Sequence, residues 1–114
     1  MNLLPLLLAL FAAAPMETWE CKDSGESGWN NIIVVATIDE DRTTGSIEVA
    51  GTTQATTYHV EGFNRRWDFG HKKGGGHSYA FLIEPDGTGL YYDFTQSDQA
   101  ERASMVMECR QRKS

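Results

Sequence analysis

A chain of 114 residues with a formal net charge of −6 has room for one modest hydrophobic core. That charge excludes general nucleic-acid binding, whose affinity rests mainly on Lys and Arg neutralising phosphates. Its only two cysteines, Cys21 and Cys109, allow a single disulfide, or two free thiols if the chain stays in a reducing compartment.

Residues 1–14 read as a signal peptide. Leu3, Leu4, Leu6, Leu7, Leu8, Leu10 and Phe11 form an uncharged apolar run, and Ala12-Ala13-Ala14 supplies the small residues a signal peptidase needs, with the cut placed to within a few residues. The run is too short to span a bilayer, which takes about 20 apolar residues. No Lys or Arg precedes it, and Pro15 directly follows; the alternative reading is a buried N-terminal strand or helix. Cys21 follows Trp19-Glu20 and not a small-residue box, so no lipid anchor is expected. These features predict a periplasmic or secreted protein whose residues 15–114 form a single domain.

The charge of that domain is polarised. Acidic residues dominate between Glu17 and Glu48, whereas Arg65, Arg66, Lys72 and Lys73 crowd together and Arg110, Arg112 and Lys113 form a second basic group.

Residues 18–22 predict a first strand, and 23–28 a polar loop. Residues 31–38 predict the strongest strand: Ile32, Val34, Ala36 and Ile38 share one face, and β-branched content decides against a helix. A turn over 39–44 leads to a strand at 46–50 with Ile47 and Val49 inward, and 52–61 is Thr-rich with Tyr58 and Val60 on one face. Phe63, Arg65, Trp67 and Phe69 share one face of the next strand, with Arg65 near its rim; Asn64, Arg66 and Asp68 share the other. Residues 70–77 form a Gly-rich loop. A hairpin follows over 78–84 and 90–95, its turn supplied by Pro85-Asp86-Gly87-Thr88-Gly89. Tyr79, Phe81 and Ile83 alternate on its first strand and Leu90, Tyr92 and Phe94 on its second, which leaves Tyr91 facing solvent. Residues 97–103 read as a loop or one helical turn capped by Ser97 or Asp98, and 104–110 as a closing strand with Met105, Met107 and Cys109 on one face.

Seven to eight short strands with no long 3.6-residue period predict an all-β domain, a small antiparallel barrel or sandwich. Cys21 and Cys109 are expected to pair, which requires the first and last strands to come together; a closed barrel does that naturally, so the barrel is favoured. Closing so long a loop stabilises by about 4–5 kcal/mol in the chain-entropy model.

No nucleophile elbow, His-Glu-x-x-His, phosphate-binding Gly-rich loop or free Cys beside His occurs, and Glu84, Asp86 and Asp93 read as turn and strand-end charges. The chain therefore reads as a non-enzymatic binding module without a cofactor. Its partner is expected to be another protein or an anionic ligand. The expected contacts are Arg65, Arg66, Lys72 and Lys73, with Tyr91 and Trp29 as exposed aromatics. The segment His71-Lys72-Lys73-Gly74-Gly75-Gly76-His77 has three readings. It is a solvated connection, or a nest for an anion, or a metal site in which His71 and His77 converge with Asp68 or His59. A carrier for a small ligand, with the barrel interior as its pocket, is the second function class.

The two ends of the chain resemble the small periplasmic inhibitors of C-type lysozyme. Those are eight-stranded antiparallel barrels with an aromatic-x-Cys near the start of the mature chain and a Cys near its end. Trp19-Glu20-Cys21 and Cys109-Arg110 stand in those places. The resemblance implies a disulfide-closed barrel acting as a protein inhibitor or an envelope-associated partner protein. The Ser-Gly-x-x-Tyr loop associated with inhibition in that family is absent.

Overall fold

Short β-branched and aromatic runs separated by Gly and Asp turns build eight strands in the computed structural model, which describes residues 15–96 and 102–113. They are β1 (Pro15–Asp23), β2 (Val34–Asp39), β3 (Thr44–Val49), β4 (Thr52–Glu61), β5 (Asn64–Phe69), β6 (Tyr79–Ile83), β7 (Thr88–Asp93) and β8 (Met105–Gln111). Each pairs antiparallel with the next, and β8 pairs with β1 to close the barrel. The leader read over 1–14 and the turn capped by Ser97 or Asp98 lie outside the described residues. No helix among the described residues is long and apolar enough to cross a membrane.

Up-and-down order sorts the connections between two ends. The start of β1 and the turns 40–43, 62–63 and 84–87 lie at one end, the hairpin end. The connections 24–33, 50–51 and 70–78 lie at the other, the loop end, as do residues 94–96 and 102–104.

Cys21 and Cys109 lie directly opposite each other at the β1–β8 seam, joined by a disulfide across a Cα–Cα distance of 4.1 Å. Their backbone groups bond outward: Cys21 O accepts from Ile33 N and Cys109 N donates to Gly87 O. The two cysteines thus form a non-hydrogen-bonded pair, whose side chains approach most closely.

Side chains fill the barrel. Trp67, Phe81, Ile38, Ile47, Ile83, Met107 and Val34 are each almost wholly removed from solvent. Tyr58 and Phe81 flank Trp67 with ring centroids 5.2 and 5.9 Å away. A buried indole needs an acceptor; Trp67 Nε1 donates to Thr37 O at 2.9 Å. Gly45 makes room for that bond, since a Cβ there would lie 2.3 Å from Thr37 O and 2.9 Å from Trp67 Nε1.

β7 runs in the opposite phase to the one its alternation predicts. Tyr91 is not on the solvent face: it packs against the core beside Phe69, Tyr79 and Phe81. Leu90 and Tyr92 stand on the outer face, opposite Leu82 and Ala80, and the Tyr92 ring stacks on Phe94. Gly89 sets this phase. A Cβ at Gly89 would lie 2.6 Å from Cys109 Sγ and 3.1 Å from Phe81 Cζ, so only glycine fits against the disulfide. The outer face here is also apolar, with Ala80 and Leu82 buried, so alternation carries little phase information.

A second difference is Phe63. Its spacing from Arg65 and Trp67 predicts a strand position, but β5 starts at Asn64. Glu61 pairs with Asn64 across a two-residue turn in which Gly62 takes a φ of 65°, the pattern of a Gly-first hairpin turn. Phe63 is therefore a hairpin tip.

Candidate functional site

The hairpin end gathers three of the five large apolar side chains exposed among the described residues; the other two, Met105 and Val106, lie near the start of β8. Phe63 is 88% exposed, Val60 61% and Met16 39%, and they border a cleft of about 280 Å³ that Glu17, Ile38, Arg42, Tyr58 and Arg65 complete. Strand alternation puts Glu17, Tyr58, Val60 and Arg65 on inward-facing positions at the mouth of the barrel. Arg65 Nε donates to Glu17 Oε1 at 2.5 Å, Trp19 Nε1 donates to the same oxygen at 2.5 Å, and the Arg65 guanidinium lies 4.7 Å over the Trp19 ring. One carboxylate thus locks a cation onto an aromatic face. Burial pushes the Tyr58 phenol pKa up, and Glu17 adds to that shift while Arg65 and Arg42 oppose it. Tyr58 is a neutral donor at the floor of the mouth.

The turns around the mouth are held by carboxylates. Asp41 Oδ1 accepts from the Thr43 and Thr44 amides at 2.9 Å, and these bonds hold its pKa below the usual carboxylate value. Asp86 accepts from the Thr88 amide at 2.9 Å and is lowered for the same reason. Arg42, in the same turn as Asp41, adopts a φ of 59°, a left-handed conformation uncommon outside glycine.

The loop end presents charge instead. Ser78 Oγ donates to His71 O at 2.7 Å, and Phe94 N donates to Ser78 O at 2.8 Å. These bonds tie down the base of the 70–78 connection. Arg66, Asp68, Lys72, Gly75, Gly76, His77 and Phe94 line a cleft of about 380 Å³ beside it.

The basic residues singled out from sequence do not form one patch. Arg65 belongs to the mouth. Arg66, one residue on, faces outward and pairs with Glu61 at 2.6 Å and Asp68 at 3.0 Å. Burial alone would lower the Arg66 pKa, but those two carboxylates outweigh it and raise it. Lys72 shares the loop-end cleft with Arg66, and Lys73 is exposed beside it. Trp29 is half-buried and clamped: Lys22 Nζ lies 5.0 Å and the Arg110 guanidinium 4.3 Å from its ring. Lys22 is 4% exposed, donates to Glu26 O and pairs with Glu108 at 3.4 Å. Arg110 and Arg112 reach Glu20 at 3.3 and 3.1 Å; burial would raise the Glu20 pKa, but these bonds outweigh it and lower it. Trp29 is thus a brace for the 24–33 connection.

His71 and His77 flank the loop tip, His77 Nδ1 lying 3.3 Å from Gly70 O. His59 lies 3.6 Å from Asp68, which Arg66 also engages. Among the described residues no group of three or more His, Cys, Asp or Glu is placed to hold a metal ion.

Phe63 is a surface residue that sequence reasoning missed, having placed it within a strand. Its signal was Gly62, which interrupts the Thr-rich run just before the aromatic alternation and supplies the φ a two-residue turn needs.

Comparison of the chain with protein-family models, with curated proteins and with solved structures returns no match.

Proposed function

We propose that this chain is an exported binding module that docks another protein at the hairpin end of its barrel, as an inhibitor or an envelope-associated partner, and performs no chemistry of its own. Phe63 carries the reading. Burying a Phe side chain is worth about 1.5–3 kcal/mol, and the fold leaves this one 88% exposed. Its rigid two-residue turn presents it beside Val60, Met16 and the locked Glu17–Arg65–Trp19 assembly. An aromatic anchor next to an arginine is the composition of an interface hot spot. The carboxylates of Asp41, Asp86 and Asp93 accept turn amides and have lowered pKa values, which suits them to shape turns and not to deliver protons at neutral pH. The disulfide matches an oxidising compartment.

The test compares the oxidised protein with Phe63→Ser as bait for envelope extracts, followed by reconstitution of any complex from purified components. A partner retained by the parent protein and bound at least tenfold more weakly by Phe63→Ser is expected. Equal retention by both would overturn the assignment of the hairpin end.

A further inference from the structure

Closing a sheet into a barrel removes its strand edges, but at the loop end one side of β4 is left without a neighbour. β3 pairs with β4 from Thr52 to Thr57, whereas β5 pairs with it only from Thr57 to Glu61. Beyond Phe69 the chain turns away. Gly70 takes a φ of 77° and lies so close to β6 that a Cβ there would be 3.0 Å from Ser78 and 3.1 Å from Tyr79. The 70–78 connection thus leaves toward β6, and Thr52, Thr53, Gln54 and Ala55 stand exposed with no strand beside them on that side. At the rise of a β-strand, four residues make a step about 13 Å high.

Strand phase shows which backbone groups are open. Tyr58 N donates to Thr43 O at 2.9 Å, so Thr56, Gln54 and Thr52, in the same phase, also turn their backbone groups to β3. Thr53 and Ala55 turn theirs the other way. There Thr57 meets Asp68, but no backbone partner meets Thr53 or Ala55 among the described residues. Natural sheets blunt such an edge with a charge, a proline, a bulge or a covering loop. None protects this one: the register against β3 is unbroken, and no Asp, Glu, Lys, Arg or Pro occurs between Glu48 and Glu61.

We propose that the open edge of β4 pairs antiparallel with the same edge of a second copy of this chain, about a twofold axis at Thr53, so that β3 and β4 of both copies form one continuous sheet. The edge is self-complementary. A residue in the open phase that lies on the axis exchanges both its N–H and its C=O with its own counterpart. Two molecules of net charge −6 repel one another, and residues 49–60 let them meet along a stretch free of acidic and basic side chains other than His59. Thr53 then stands opposite the partner's Thr53, a favourable cross-strand pair. Ala55 faces the partner's hairpin tip, where Gly51 has open space around it. An axis at Gln54 would instead drive the partner's Thr52 against Phe69 at the end of β5. So short a pairing gives a dimer of the small, transient class.

The experiment is sedimentation velocity of the oxidised protein from about 10 µM to 1 mM, where a shift from monomer to twice its mass is expected. Thr53→Lys and Thr53→Glu should each raise the dimer Kd about tenfold or more, since like charges then oppose each other across the axis. An equimolar mixture of the two variants should restore association, because their charges are opposite. Unchanged melting temperatures show that a loss of association is not a loss of fold. A general charge effect would instead strengthen association of Thr53→Lys, which lowers the net charge. That result, a monomer at every concentration, a dimer indifferent to both substitutions, or a mixture that stays monomeric overturns the pairing. So does a dimer lost in Phe63→Ser and retained in Thr53→Lys, which belongs to the hairpin end.

Discussion

At the hairpin end, Phe63 stands on a two-residue turn above a mouth stiffened by Glu17, Arg65 and Trp19. At the loop end, Lys72 and Lys73 stand on a nine-residue connection, 70–78, whose tip is three glycines. The first surface is apolar and preorganised by side chains. The second is cationic and shaped by its backbone. A barrel separates these two kinds of surface because its packed interior couples them only through the strands. The contrast teaches that a residue's exposure means different things at the two ends: a hydrophobic cost at Phe63, ordinary solvation at Lys73.

The largest expected effect tests whether the two ends share one scaffold. Replacing Cys21 and Cys109 with Ala removes a link between residues 88 apart in sequence and should cost about 4 kcal/mol in chemical denaturation. Both ends should lose hydrogen-exchange protection together. Protection lost at one end only would show that the barrel is not a single cooperative unit.

Glycine substitutions separate space from backbone conformation. Gly45→Ala, near the hairpin end, forces a methyl against Thr37 O and the Trp67 indole and should destabilise by about 2–3 kcal/mol. Gly75→Ala, in open space at a φ of 110°, should cost only about 1–2 kcal/mol, the penalty of a left-handed conformation. A reversed order in urea denaturation would contradict the packing around Trp67.

Acid should loosen the turns whose carboxylates accept backbone amides, at both ends. Asp41 and Asp86 have folded pKa values below their unfolded value of about 3.9. The stability they contribute is present above that value and is lost as pH falls through the lower folded one. Asp93, at the loop end, accepts from the Thr95 hydroxyl, and from its amide at 2.8 Å, and is lowered in the same way. Hydrogen exchange followed from about pH 5 downward should therefore show the 40–43 and 84–87 turns and the Asp93–Thr95 turn loosening together, and Asp41→Asn should flatten the response of the first turn.

The smallest expected effect is on stability at the proposed contact itself. Phe63→Ser should change stability by less than about 0.5 kcal/mol, since an exposed side chain loses little on replacement. A larger loss for Phe63→Ser by thermal melting would mean that its ring serves the fold and not a partner.

Much of the architecture was legible in the residues. Val34, Ala36 and Ile38 point inward as their alternation predicts, and so do Ile47, Tyr79, Phe81 and Ile83. Gly87 and Asp86 make the expected turn, and a barrel was the arrangement that brings Cys21 to Cys109. The candidate site was less legible. Arg65 and Arg66 are neighbours in sequence, yet a strand sends them to opposite faces and to different partners, Glu17 and Glu61 with Asp68. Trp29 has the composition of an exposed loop aromatic, but Lys22 and Arg110, brought together by β1–β8 pairing, hold it.

The sequence by itself determined an all-β antiparallel domain of seven to eight strands and favoured one disulfide, because these follow from local period, turn chemistry and the two places where cysteine occurs. Tertiary structure alone decided which face of β7 enters the core and where Phe63 stands. Both depend on glycines whose meaning lies in their neighbours. Gly89 is small because Cys109 Sγ and Phe81 occupy the space beside it, and Gly62 turns the chain because Glu61 must pair with Asn64. A missing side chain leaves no pattern in the sequence; the contact that requires its absence exists only after the barrel has closed.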